Sequence, residues 1–141
     1  FILIQSMAKH LIKHKKPGSI VNILSTSAYV GQSILTPYST SKGGLITLTK
    51  NVANSLKKHK IRVNGVAPGW METPGEDKIQ KEFHDADNNW LEEAEKKLPF
   101  GQLVKTHEIS PLICYLISSS SGIITGSIIN YDQNIIGAVP E

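Results

Sequence analysis

Apolar residues recur at helical spacing from the first residue. Phe1, Ile4, Met7, Ala8, Leu11 and Ile12 form one stripe, which predicts a helix running to Pro17-Gly18. Lysines crowd its last turn, where the helix dipole favours cations. Residues 19–24, "SIVNIL", are a short β-branched run between Gly18 and a Ser-Thr-Ser cluster, and predict a buried parallel strand. A second helix is predicted with Thr36 as N-cap and Pro37 at its first position, both favoured there. Its stripe is Leu45, Leu48, Val52 and Leu56, and "KKHK" closes it with positive charge. Residues 61–67, "IRVNGVA", predict a second strand stopped by Pro68-Gly69. From Trp70 to Gln102 the chain is polar and only locally periodic, which predicts a lid with one or two short helices. Thr106 is the expected cap of a further helix, with Glu108 and Ile109 in its first turn and Cys114 on its apolar side. Residues 126–132 predict a third strand.

Helices thus alternate with short apolar strands, which implies an α/β fold with a parallel sheet covered on both faces. Three strands are few for that architecture, and the first helix begins at residue 1 with neither a cap nor a Met. Both features lead us to expect a piece of a longer domain. Composition agrees with a folded chain: in 141 residues, 40% are hydrophobic and 19% charged, as in globular proteins. No apolar run approaches the length of a membrane span. A lone Cys114 excludes an intrachain disulfide and a cysteine-rich metal site, and fits a reducing, cytoplasmic setting.

The net charge of +3 raises the question of nucleic acid. Arg62 is the single arginine, however, and base readout and bidentate phosphate clamps rely on arginine. The densest basic run, from Lys9 to Lys16, reads as the solvated end of a helix. The five histidines lack metal-ligand spacing beside Cys or carboxylates, so no metal site is expected. Asn22 and Asn64 lie inside strands and are read as structural amides.

In open parallel sheets, ligands bind beyond the carboxyl ends of the strands. Ser25 follows the first strand, Pro68-Gly69 the second, and Tyr38 opens the helix after the first. Tyr38 and Lys42 stand at i and i+4, one turn apart on one helix face. A tyrosine ordinarily ionises near 10 and is a poor base at neutral pH. A cation within about 4–6 Å favours the phenolate, and Lys42 is placed to supply one. Tyr38 could then exchange a proton with an alcohol or forming alkoxide, while Ser25 steadies the same oxygen. No G-x-S-x-G elbow exists, so acid–base work on a C–O centre is the better reading.

The stretch "VNILSTSAYVGQSILTPYSTSKGGLITLTKNVANSLKKHKIRVNGVAPGWMET" resembles the active-site half of the short-chain dehydrogenases/reductases. In that family a Ser lies thirteen positions before the Tyr of Y-x-x-x-K, as Ser25 lies before Tyr38 here. The resemblance implies the C-terminal part of a Rossmann-type doubly wound parallel sheet, with the first strand–helix units missing. Residues 1–141 would form one oxidoreductase domain, with a substrate lid at about residues 70–102. It implies NAD or NADP as cofactor, with Tyr38 as acid/base, and Lys42 activating Tyr38 and holding the ribose. Pro68, Gly69 and the Met71 backbone would line the nicotinamide, with Thr73 near its carboxamide. The two helices "FILIQSMAKHLIKHKKPG" and the one opened by Thr36 would pack against a second subunit, giving a dimer or tetramer. Gly43-Gly44 would serve that interface or a close contact within the chain.

Aromatic Trp70, Phe83 and Trp90 among Glu72, Glu76, Asp77 and His84 suggest a sugar or polyol substrate. A 3-oxoacyl-carrier-protein reductase is the alternative, and a non-catalytic structural or oligomerisation module is the second class. The family's G-x-x-x-G-x-G turn, its N-N-A-G stretch and its catalytic Asn have no match here, and "YDQN" stands where V-D-G-G is usual. With half the cofactor site missing, the chain alone is expected to be inactive.

Overall fold

The three strands are β1 (Gly18–Ile23), β2 (Ile61–Pro68) and β3 (Ile128–Tyr131), hydrogen-bonded in parallel in the order β1-β2-β3. They belong to a computed structural model, which describes residues 1–139. β2 is central, and its side chains alternate between two separate cores. Ile61 and Val63 face one side, with Ile20 of β1 in register beside Val63. Ala8 from helix α1 (Ile2–Lys13) and Ala53 and Leu56 from α2 (Thr36–Leu56) close that side. Val66 points the other way, onto Ile109 and Leu116 of α5 (Thr106–Ile117). Helices therefore cover both faces, as alternation of strand and helix requires.

Arg62 ties the second layer down. Its guanidinium donates to the Leu116 carbonyl at 3.0 Å and to the Ser118 carbonyl at 2.8 Å, where α5 ends. A cation there meets carbonyls that the helix itself leaves unpaired. The sole arginine is thus structural. Asn64 is fully buried, donating to the Ile124 carbonyl and accepting from the Ser127 N–H, so the reading of a structural amide holds.

The segment expected as a lid leaves and rejoins the body through one parallel bridge between Met71 and Val104. Within it lie α3 (Pro74–Phe83) and α4 (Trp90–Glu95), and Trp90, Ala94 and Leu103 form a small core of their own.

Several local expectations change. Leu35, not Thr36, is the N-cap of α2; Thr36 is its first residue and donates its hydroxyl to the Ser33 carbonyl. A preceding 3-10 turn at Ser33–Leu35 already aligns the backbone, so no side-chain cap forms. Lys105 precedes α5 in the place expected of Thr106, and Glu108 accepts from its N–H. Cys114 is exposed rather than packed on the apolar side, because the buried face of α5 runs through Ile109 and Leu116. On α1, Ile4 and Ala8 are buried while Phe1 and Met7 of the same stripe are exposed.

Candidate active site

The first candidate position lies just beyond β1. Leu24 extends the β1–β2 ladder, its N–H donating to the Val66 carbonyl at 2.7 Å. Gly65 makes room for this: a Cβ there would sit 2.5 Å from Leu24 Cδ1 and 2.9 Å from Ile128 Cδ1. Ser25 follows in extended conformation and is 8% exposed. Its Oγ accepts from the Ser27 N–H at 3.2 Å, opening a short turn over Thr26–Ala28. That leaves the hydroxyl proton available to an outside acceptor.

Tyr38 and Lys42 occupy consecutive turns of α2, as the spacing predicts. The Lys42 ammonium lies 5.5 Å from the centre of the Tyr38 ring. It also donates to the carbonyl of Ile23, the last residue of β1, at 2.9 Å. This second bond pins the lysine to the strand end two residues from Ser25. Tyr38 is 44% exposed, so its ring faces outward from this corner. The structure thus brings the Tyr–Lys pair to the end of β1 that carries Ser25.

The second strand end is built differently. The Gly69 N–H donates to the Tyr131 carbonyl at 2.9 Å, holding the Pro68-Gly69 turn against β3. A side chain on Gly69 would collide with the Asp132 carboxylate, whose Oδ2 lies 2.7 Å from the Cβ position. Met71 is bracketed by bonds from Val104 N–H to the Trp70 carbonyl and from Glu72 N–H to the Val104 carbonyl. In such a parallel bridge the middle residue's own N–H and C=O point away from the partner strand. Among the described residues, Met71 therefore offers an unpaired backbone edge. Thr73 caps α3, accepting from the Glu76 N–H at 3.1 Å.

Carboxylates of the lid, expected to greet a hydroxylated substrate, are already engaged. Glu76 accepts from Trp70 Nε1 at 2.7 Å and Asp77 from Trp90 Nε1 at 2.8 Å, while the two indoles stand 6.1 Å apart. The Trp90 bond, with help from Lys81, holds Asp77 below the usual carboxylate range. Lys105 bonds to Glu72 and, at 2.8 Å, to Glu95, which joins both ends of the lid to α4.

Two features of this corner escape the sequence reading. One is the Ile23 carbonyl that receives Lys42, for which no side-chain signal exists. The other is Asp132, which follows β3 as Ser25 follows β1; its place beyond a strand end was the available signal. Gly43 and Gly44 touch almost nothing within the chain: a Cβ on Gly43 would lie 4.0 Å from the Ala28 carbonyl, and one on Gly44 would meet no atom within 4 Å. A close intrachain contact is therefore not their reason.

Comparison with known proteins places this geometry. The profile of the family described as enoyl-(acyl carrier protein) reductase matches residues 1–133. The chain is 35% identical over 136 residues to the 3-oxoacyl-[acyl-carrier-protein] reductase of Thermotoga maritima, covering 96% of this chain and 52% of that protein. A solved 4-hydroxyisoleucine dehydrogenase complexed with NADH superposes with a TM-score of 0.80 at 34% identity, over 94% of this chain and 53% of its own. A gluconate 5-dehydrogenase from Burkholderia cenocepacia, in complex with NADP and tartrate, gives 0.78 at 27% identity, over 96% and 51%. The chain spans about half the length of these relatives. Its parallel sheet, its Ser25, Tyr38 and Lys42 spacing and these matches agree: the chain belongs to the short-chain dehydrogenase/reductase family.

Proposed function

We propose that this chain forms the catalytic half of an NAD- or NADP-dependent oxidoreductase acting on an alcohol or carbonyl. The observation that carries the reading is the Lys42 ammonium, held by the Ile23 carbonyl beside the Tyr38 ring. A fixed cation next to an accessible phenol is what proton exchange with a C–O oxygen needs. Tyr38 gives its proton to the oxygen of a carbonyl being reduced, or takes one from an alcohol being oxidised. Ser25, its hydroxyl proton uncommitted, donates to the same oxygen and fixes its position. Lys42 supplies positive charge throughout.

The residues after β2 fit a nicotinamide. Gly69 stands at the strand end with the Asp132 carboxylate against its backbone, and Met71 turns its N–H and C=O away from Val104. Pro68, Gly69, Met71 and Thr73 would hold the ring and its carboxamide, and Lys42 a ribose hydroxyl. The nicotinamide supplies the hydride acceptor or donor when bound. The relatives crystallised with NADH and with NADP support both forms of the cofactor.

A sugar or polyol remains the first substrate class, on the strength of the gluconate 5-dehydrogenase likeness. The engaged lid carboxylates give it no support. A 3-oxoacyl thioester is the second reading, favoured by the exposed Tyr29, Val30 and Ile34 between Ser25 and Tyr38, which would suit an acyl chain. Turnover of a keto-sugar acid against a 3-oxoacyl thioester, with each reduced dinucleotide and in a chain extended by the upstream strand–helix units that the resemblance implies, decides between them; turnover of neither there would count against the oxidoreductase reading itself. Exposed Phe1 just before α1, exposed Leu3 and Met7 on it, and the open face of Gly44 on α2 support assembly into a homo-oligomer through these helices.

A further inference from the structure

The Asp132 carboxylate lies against the backbone of Gly69, at the turn to which the proposed function assigns the nicotinamide. Its Oδ1 accepts from the Asn134 N–H at 3.1 Å and from Asn134 Nδ2 at 3.3 Å. Among the described residues Oδ2 has no donor, and no Lys, Arg or His lies within ion-pair distance of Asp132. The carboxylate lines a depression of about 280 Å³ with Asn130, Tyr131, Gln133 and Glu108. Glu108 adds no cation: backbone donation from Lys105 holds it below the usual carboxylate range, so it stays ionised. A negative charge without a counter-charge therefore stands at this strand end.

We propose that Asp132 is a specificity-determining residue that favours the oxidised, positively charged nicotinamide over the reduced, neutral one. The inference rests on the placement of the ring at Pro68-Gly69. The two redox forms differ by one unit of charge on the ring, so an uncompensated carboxylate nearby stabilises one and is nearly indifferent to the other. The same charge resists hydride leaving the reduced ring less than it resists hydride arriving, and so biases the bound cofactor pair toward its oxidised member.

Asp132→Asn separates charge from structure, because its amide oxygen still accepts from the Asn134 N–H. Dissociation constants of the oxidised and reduced dinucleotides are measured by calorimetry for the unaltered protein, Asp132→Asn and Asp132→Glu, each in a chain extended by the upstream strand–helix units that the resemblance implies. The oxidised form should bind roughly fivefold more weakly to Asp132→Asn, the size of a unit charge acting over about 4 Å through water, with the reduced form changed less than about twofold. Asp132→Glu should restore most of the ratio. Equal weakening of both forms, or no change in either, would overturn the inference while leaving the cofactor site in place. If the unaltered protein binds neither dinucleotide, the site reading fails, and this inference with it.

Discussion

Lys105 is the most informative residue to replace at the base of the 70–102 segment. It sits where the lid rejoins the body, and its ammonium bonds to Glu72 at the start of the lid and to Glu95 on α4. The Lys105 and Glu95 side chains are each 25% exposed, so the pair is neither a solvated surface contact nor a fully buried one. Fully exposed pairs contribute about 0.2–1 kcal/mol, while breaking a buried pair costs about 3–5 kcal/mol. Lys105→Met leaves two carboxylates facing each other without a cation, and we place its cost near 2 kcal/mol, between those limits. For a chain of this size that is a fall of about 4–8 °C in unfolding temperature.

The pH dependence follows from the same bonds. Hydrogen bonding from Lys105 holds Glu95 below its ordinary value, so its contribution is present above about 4.3 and is lost as pH falls through the lowered value. Glu72 and then Glu95 hold Lys105 above its ordinary value, so that contribution is complete below about 10.4 and is lost as pH rises through the raised one. The tether is therefore strongest between those limits. Unfolding followed by tryptophan fluorescence reads it directly, because Trp70 and Trp90, the only two tryptophans, flank α3 in the lid. Lys105→Met should also flatten the loss of stability below about pH 5. An unfolding temperature within about 1 °C of the parent with an unchanged acid slope would refute the reasoning.

Two further outcomes are expected. Gly65→Ala should cost about 1–3 kcal/mol, because the new Cβ presses on Leu24, which is fully buried and cannot move aside; thermal unfolding checks this, and an unaltered midpoint would count against the close packing. Replacing Met7 with Glu on the exposed face of α1 should shift the protein toward monomer in sedimentation velocity with little effect on its fold, whereas an unchanged oligomer would place the interface elsewhere.

The alternation of β2 was readable because a strand buried on both faces needs apolar residues at odd and even positions alike, as Val63 and Val66 show. The Tyr38–Lys42 pair was readable because helical spacing alone puts i and i+4 together. What stayed hidden depends on the backbone. The carbonyl of Ile23 looks like any other until the strand ends beside α2, and the Leu35 cap follows from a 3-10 turn that no side chain announces. The lid misled for a different reason. Glu76 and Asp77 looked like free acceptors because the sequence could not pair them with Trp70 and Trp90 across the fold. Cys114 misled through helix phase, since apolar neighbours in sequence need not share a face.

Tyr38 carries the proposed chemistry. In the protein with dinucleotide affinity first verified, steady-state turnover of the better substrate is compared between the parent and Tyr38→Phe. Loss of the hydroxyl from this accessible ring should lower kcat by about 10²–10⁴-fold, with thermal stability and dinucleotide binding retained. Turnover unchanged in Tyr38→Phe would contradict the proposed proton exchange and leave the cation at Lys42 without a catalytic role.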